Sequence, residues 1–119
     1  MTTEQRPMAG HPAVQEFTQR VWQTHQRKNS DYSEAGYKDG GDIFSNFRTD
    51  HIGVDSRTGV LVRMTDKWQR LCNLHTKGYT AVGESIDDAL LDLAGYAAIY
   101  YAMLQDEKEA AKNAKDHIQ

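Results

Sequence analysis

The sequence predicts an all-α fold, a small bundle of three to four helices in one domain spanning residues 1–119. Three observations carry that expectation. Apolar residues recur at steps of three and four in three separate stretches, the signature of helices that bury one side. No internal repeat and no convincing strand pair interrupts them. A chain of 119 residues is long enough for one modest core and too short for two.

Residues 1–12 contain both prolines, Pro7 and Pro12, and read as a loose arm. A first helix is expected over residues 13–28, with Val14, Phe17, Val21 and Trp22 as its apolar stripe. Residues 29–59 show no long period and are punctuated by Gly36, Gly40, Gly41, Gly53 and Gly59, so they read as a long loop. A short helical turn from Asp42, in DIFSNF, can interrupt it. Loops of this length are often lids or ligand-binding segments. A second helix follows over residues 60–74, with Leu61, Met64, Trp68 and Leu71 as its buried stripe. Gly78 and Gly83 bracket a connector. The third periodic stretch, ESIDDALLDLAGYAAIYYAML at residues 84–104, repeats apolar groups at Ile86, Leu90, Leu93, Ala97, Tyr100 and Leu104. Ser85 suits the N-cap, and Asp88 three residues later completes a capping-box pattern. The tail, residues 105–119, has strong helix formers but almost no apolar side, so it reads as a solvated continuation or a short fourth helix.

The acids of the third stretch pose the chemical question. Glu84, Asp88 and Asp92 lie four residues apart and are expected to stack turn above turn, where like charges repel. A counter-charge should therefore lie opposite. The second helix offers one, because Arg63, Lys67 and Arg70 form a cationic ridge at steps of four and three. Arginine suits bidentate phosphate contacts and lysine acts as a point charge, so the ridge is a candidate phosphate site. Carboxylates stacked in this way suit Mg2+, a hard cation that prefers oxygen ligands, beside a triphosphate. Glu84, Asp88 and Asp92 are its candidate ligands, and Asp66, Asp88 and Asp92 the candidate catalytic acids, with Asp66 as a ligand or a water-orienting base. The plainer alternative is a network of ion pairs: Asp88 only caps the helix, and Asp92 and Asp66 pair with Arg63 or Arg70. Tyr32, Asn46, Phe47 and Asn73 are candidate base contacts, through stacking or amide hydrogen bonds. Trp22 and Phe47 read as core aromatics before they read as ligand contacts.

Composition narrows the class of partner. A net charge of −3 argues against a general nucleic-acid binder, which needs a basic surface, yet leaves room for a small phosphate ligand. The single cysteine, Cys72, forbids an intramolecular disulfide and suits a reducing cytoplasm. No apolar run has membrane length, and MTTEQRPMAGHP does not read as a signal peptide. The five histidines lack the spacing of a zinc site. The expectation is a cytoplasmic protein with no nucleic-acid or membrane partner. Helical stripes this apolar in so short a chain also predict a homo-oligomer, a dimer or tetramer, with Tyr96, Tyr100, Tyr101 and Met103 as contact residues.

GVLVRMTDKWQRLCNL and ESIDDALLDLAGYA, with SDYS and SNF before them, closely resemble the phage and bacterial family called nucleotide modification associated domain, type one. The chain is more distantly similar to the all-α MazG-like nucleotide pyrophosphohydrolases, which hold magnesium with acids from two neighbouring helices. That resemblance implies a MazG-like bundle and a Mg2+-dependent pyrophosphohydrolase releasing monophosphate and pyrophosphate from a deoxynucleoside triphosphate. The second helix departs from the pattern, offering Arg63-x-x-Asp66 where the hydrolases carry Glu-x-x-Glu. The alternative is a nucleotide binder without catalysis, such as a sponge or an accessory subunit countering host defence signalling.

Overall fold

Two long helices run antiparallel and carry the buried core between them. The computed structural model describes residues 9–32, 42–79 and 82–117, apart from the side chains of residues 29–32. In chain order they form α1 (Pro12–Tyr32), two single-turn 3-10 segments (Ser45–Phe47 and Asp50–Ile52), α2 (Ser56–Lys77) and α3 (Ile86–His117). No strand occurs among the described residues. The expected all-α fold is observed.

Local chemistry sets the helix ends. Pro12 opens α1, where its missing N–H costs nothing, and the Ala13 N–H donates to His11 Nδ1 at 3.0 Å. The helix runs a turn past residue 28, because polar residues in an exposed helix cost only tenths of a kcal/mol each, about 0.7 at most. Asp55 caps α2, its Oδ2 accepting from the Thr58 N–H at 3.1 Å. Gly78, at φ +82°, closes α2 with its N–H on the Leu74 carbonyl at 2.9 Å. Gly59 did not break α2, which begins at Ser56 rather than residue 60. It is required for another reason: a Cβ there would lie 3.0 Å from Thr49 Oγ1, where the loop crosses the helix. Ser85 caps α3 as expected, its Oγ accepting from the Asp88 N–H at 3.1 Å. The tail continues α3 unbroken to His117, exposed from residue 106 onward.

The segment expected to be one long loop is largely ordered where it is described. Asp42 anchors it, taking the Phe44 N–H at 2.9 Å and the Arg48 guanidinium at 2.7 Å. The helical turn expected in DIFSNF is present, and it delivers Phe44 to the core. Residues 33–41 of this segment lie outside the described residues.

Phe44, Val60, Ile99 and Met103 form the core, with Phe47, Met64, Tyr96 and Tyr100 packed against it. The helix faces differ from expectation. On α2 the buried apolar residues are Val60 and Leu74, while Leu61 and Trp68 are 47% and 57% exposed. On α3 Ala89, Ile99 and Met103 are buried, whereas Ile86, Leu90 and Ala97 are exposed. Both helices carry apolar residues on two adjacent arcs, and only one arc meets the partner helix. On α1, Phe17 and Val21 are half-buried, but Val14 and Trp22 stand out in solvent. Three of the four expected oligomer contacts are used within the chain. Met103 is core, Tyr96 packs on Phe47, and the Tyr100 hydroxyl accepts from Arg57 Nη1 at 3.0 Å. Tyr101 alone of the four is exposed.

Candidate functional site

A cleft of about 260 Å³ opens between α1, α3 and the first 3-10 turn. Its walls are apolar, from Val21, Ile43, Phe47, Leu91, Tyr96 and Ile99, and Gly95 leaves one side open. Its polar groups are Thr24, His25 and Lys28 from α1, Asn46 from the turn, Arg63 from α2 and Asp92 from α3. An apolar hollow with a few convergent polar groups is the usual form of a small-molecule site.

Arg63 is held without a carboxylate. Its guanidinium lies 4.8 Å from the centre of the Phe47 ring, and Nη2 donates to the Asn46 carbonyl at 3.1 Å. Phe47 meets Tyr96 edge-on at 6.1 Å. None of the ion pairs among the described residues involves Arg63. A cation–π contact orients the group while leaving its charge available.

The acids are arranged otherwise than as a ladder. Glu84 precedes α3, because Ser85 is the cap, so it is not stacked on the helix below Asp88. Asp88 is exposed in the first turn. Glu84 and Asp92 instead converge on Lys67, whose Nζ lies 2.9 Å from Asp92 Oδ2 and 3.5 Å from Glu84 Oε1. The counter-charge to the acids is thus a lysine of α2, only 15% exposed. Burial works against the Lys67 charge, but the hydrogen bond and field of Asp92, with Glu84, outweigh it and raise its pKa above the ordinary lysine value. Burial likewise works against ionised Asp92, yet the Lys67 hydrogen bond and the Lys28 charge hold its carboxyl below the usual range. Lys28 reaches Asp92 Oδ1 at 3.4 Å across the cleft wall.

The remaining expected residues fall as follows. Arg70 pairs with Glu84 and with Asp66, each at 3.3 Å, and the Asp66 pair is an exposed link within α2. Asp92 pairs with neither Arg63 nor Arg70, since lysines take both of its oxygens. Asn46, Phe47, Arg63 and Asp92 line the cleft, whereas Asp66, Lys67, Arg70, Asn73, Glu84 and Asp88 do not. The Tyr32 side chain lies outside the described residues. Thr24, His25, Lys28 and Tyr96 were not anticipated as cleft residues. The signal for the α1 set is present, since Thr24, His25 and Lys28 continue the stripe of Phe17 and Val21 by helical steps, but they are polar and so fall outside an apolar pattern.

A magnesium site would need several oxygen ligands around one cation. Among the described residues no group of three or more His, Cys, Asp and Glu is gathered in that way. Lys67 already occupies the position between the two carboxylates that do converge. As arranged, this donor set does not fit a resident divalent ion. Among the described residues, no helix is long and apolar enough to cross a membrane.

The helices define an all-α protein whose cleft joins aromatic, amide and cationic groups. The chain belongs to the family described as Nucleotide modification associated domain 1, which matches residues 28–105. That span holds the cleft groups of α2, α3 and the 3-10 turn together with Lys28, while Thr24 and His25 precede it. Comparison with curated proteins and with solved structures found no match. Membership places the chain in a nucleotide-related setting.

Proposed function

We propose that the chain binds a nucleotide in the cleft and holds it without hydrolysis. The observation that carries this reading is Arg63, a guanidinium stacked on Phe47 at the cleft with no carboxylate partner among the described residues. The base lies among Phe47, Tyr96 and the apolar wall, with the Asn46 amide at its polar edge. The phosphate meets Arg63 and Lys28, which exchanges its long contact to Asp92 for the ligand. His25 and Thr24 line the same wall and offer further donors.

Hydrolysis of a deoxynucleoside triphosphate to monophosphate and pyrophosphate with Mg2+ is the second reading, favoured by Asp92 lying in the cleft. Its weakness is the pairing of that carboxylate with two lysines. Incubating the protein with each deoxynucleoside triphosphate and Mg2+, alongside calorimetry in EDTA, separates the two. The binding reading expects saturable heat in EDTA and no monophosphate above the protein-free control. Stoichiometric turnover that EDTA abolishes would establish the hydrolase instead.

A further inference from the structure

We infer that the flank of the α2–α3 pair facing away from α1 is covered by the same flank of a second copy of this chain. On α2, Leu61, Thr65 and Trp68 follow one another at steps of four and three, about 100° around the helix from the Val60 and Lys67 arc that meets α3. On α3, Ile86, Leu90, Ala97 and Tyr101 follow at steps of four, seven and four. The opposite flanks are taken: Arg63 of α2 meets the 3-10 turn, and Leu91, Asp92 and Gly95 of α3 line the cleft with α1. The pairs Arg57 with Tyr100 and Lys67 with Asp92 fix the antiparallel register. That register sets Leu61 level with Ala97 and Tyr101, and Trp68 level with Leu90. The two stripes therefore merge into one sheet-like surface, and no residue in it is charged.

Its size is the larger part of one side of an interface. Leu61, Trp68, Ile86, Leu90 and Tyr101 are between 39% exposed, for Leu90, and 65% exposed, for Tyr101. Together they present on the order of 500 Å², against roughly 800 Å² per partner in a stable complex. The occupant follows from what the single chain lacks. Only six apolar side chains are buried, among the described residues, and the radius of gyration is 18.5 Å. A compact chain of this length has about 13.5 Å. A surface needed for the fold itself calls for a permanent partner, and a second copy is present wherever the chain is made. Two-fold pairing of two-helix flanks closes on itself and leaves both clefts open on the outer side.

Sedimentation equilibrium and acrylamide quenching of the full chain test this, with Trp22→Phe leaving Trp68 as the sole tryptophan. The expected result is a mass of twice the chain and Trp68 quenching reduced at least threefold from that of a free tryptophan amide. A monomer at micromolar concentration, a complex with a different chain, or a dimer whose Trp68 is freely quenched would each overturn the inference. Leu90→Glu should release monomer or lose helicity by circular dichroism, while Val14→Glu, off this flank, should do neither. A Leu90→Glu protein that remains a folded dimer would also overturn it.

Discussion

Lys67 joins two acids, Glu84 and Asp92, and its substitution has two consequences that separate packing from ligand chemistry. Lys67→Met leaves Glu84 and Asp92 facing one another with no cation between them. The expected loss is about 2–3 kcal/mol, for a pair mostly but not wholly removed from water, measured by urea unfolding. Millimolar Mg2+ should then raise the Tm of Lys67→Met and leave the unsubstituted protein unchanged, because the variant keeps only Arg70 on Glu84 and Lys28 on Asp92 and opens the position between the two carboxylates. Unchanged stability in Lys67→Met would contradict the pairing. Asp92 predicts a pH dependence. Its pKa is lowered in the folded chain, so its stabilisation is complete above the ordinary value of 3.8 and is lost as pH falls through the lower folded value. Asp92→Asn should therefore lower the Tm at pH 7 and flatten the acid limb below that point. It should not weaken nucleotide binding, since it frees Lys28. A hydrolase that used Asp92 would show the reverse pattern. At this scale the sequence made the charges legible and the partners not. Spacing along α2 gave Arg63, Lys67 and Arg70 as one ridge, but their separate fates depend on small rotations about the axis. Lys67 faces α3, Arg63 faces the turn and Arg70 lies near solvent.

Helix existence was legible, and helix faces were not. Periodicity located all three helices, and Ser85 was read correctly as a cap. Val60 and Leu61 are one residue apart, and apolar residues on both arcs make the pattern degenerate until a partner helix chooses. Two glycines distinguish space from crowding. Gly59→Ala would drive a methyl against Thr49 and should destabilise the chain by about 1–3 kcal/mol. Gly95 lies within α3, and a Cβ there meets nothing within 4 Å. Gly95→Ala should thus stabilise the helix by about 0.5–1 kcal/mol, while intruding on the cleft. Thermal unfolding of both variants checks the contrast, and similar shifts of the same sign would contradict it.

For the whole molecule, the cleft joins one wall from each of three helices with a single turn of 3-10 backbone. Such a site is invisible to spacing arguments along any one element. Asn46 and Phe47 are legible as an amide and an aromatic suited to a base, and Arg63 as a cation at helical spacing. Lys28 was missed because it sits at the end of an otherwise apolar stripe. The family match covers the α2 and α3 contributions and fixes the nucleotide setting, but the geometry supplies the reading that Arg63 and Lys28, rather than a metal, receive the phosphate. Arg63→Gln should cost at least tenfold in nucleotide affinity, with about 1 kcal/mol of stability from the lost contacts to Phe47 and Asn46. The most direct test of the cleft is calorimetric titration of Gly95→Leu and the unsubstituted protein with the same nucleotide in EDTA. A Cβ at Gly95 meets nothing within 4 Å, and Gly95 lines the cleft, so the Gly95→Leu side chain takes up space there. The account predicts a folded Gly95→Leu protein that has lost nucleotide binding, beside an unsubstituted protein that binds with no metal present. A folded Gly95→Leu protein that binds the nucleotide as tightly as the unsubstituted chain would contradict it.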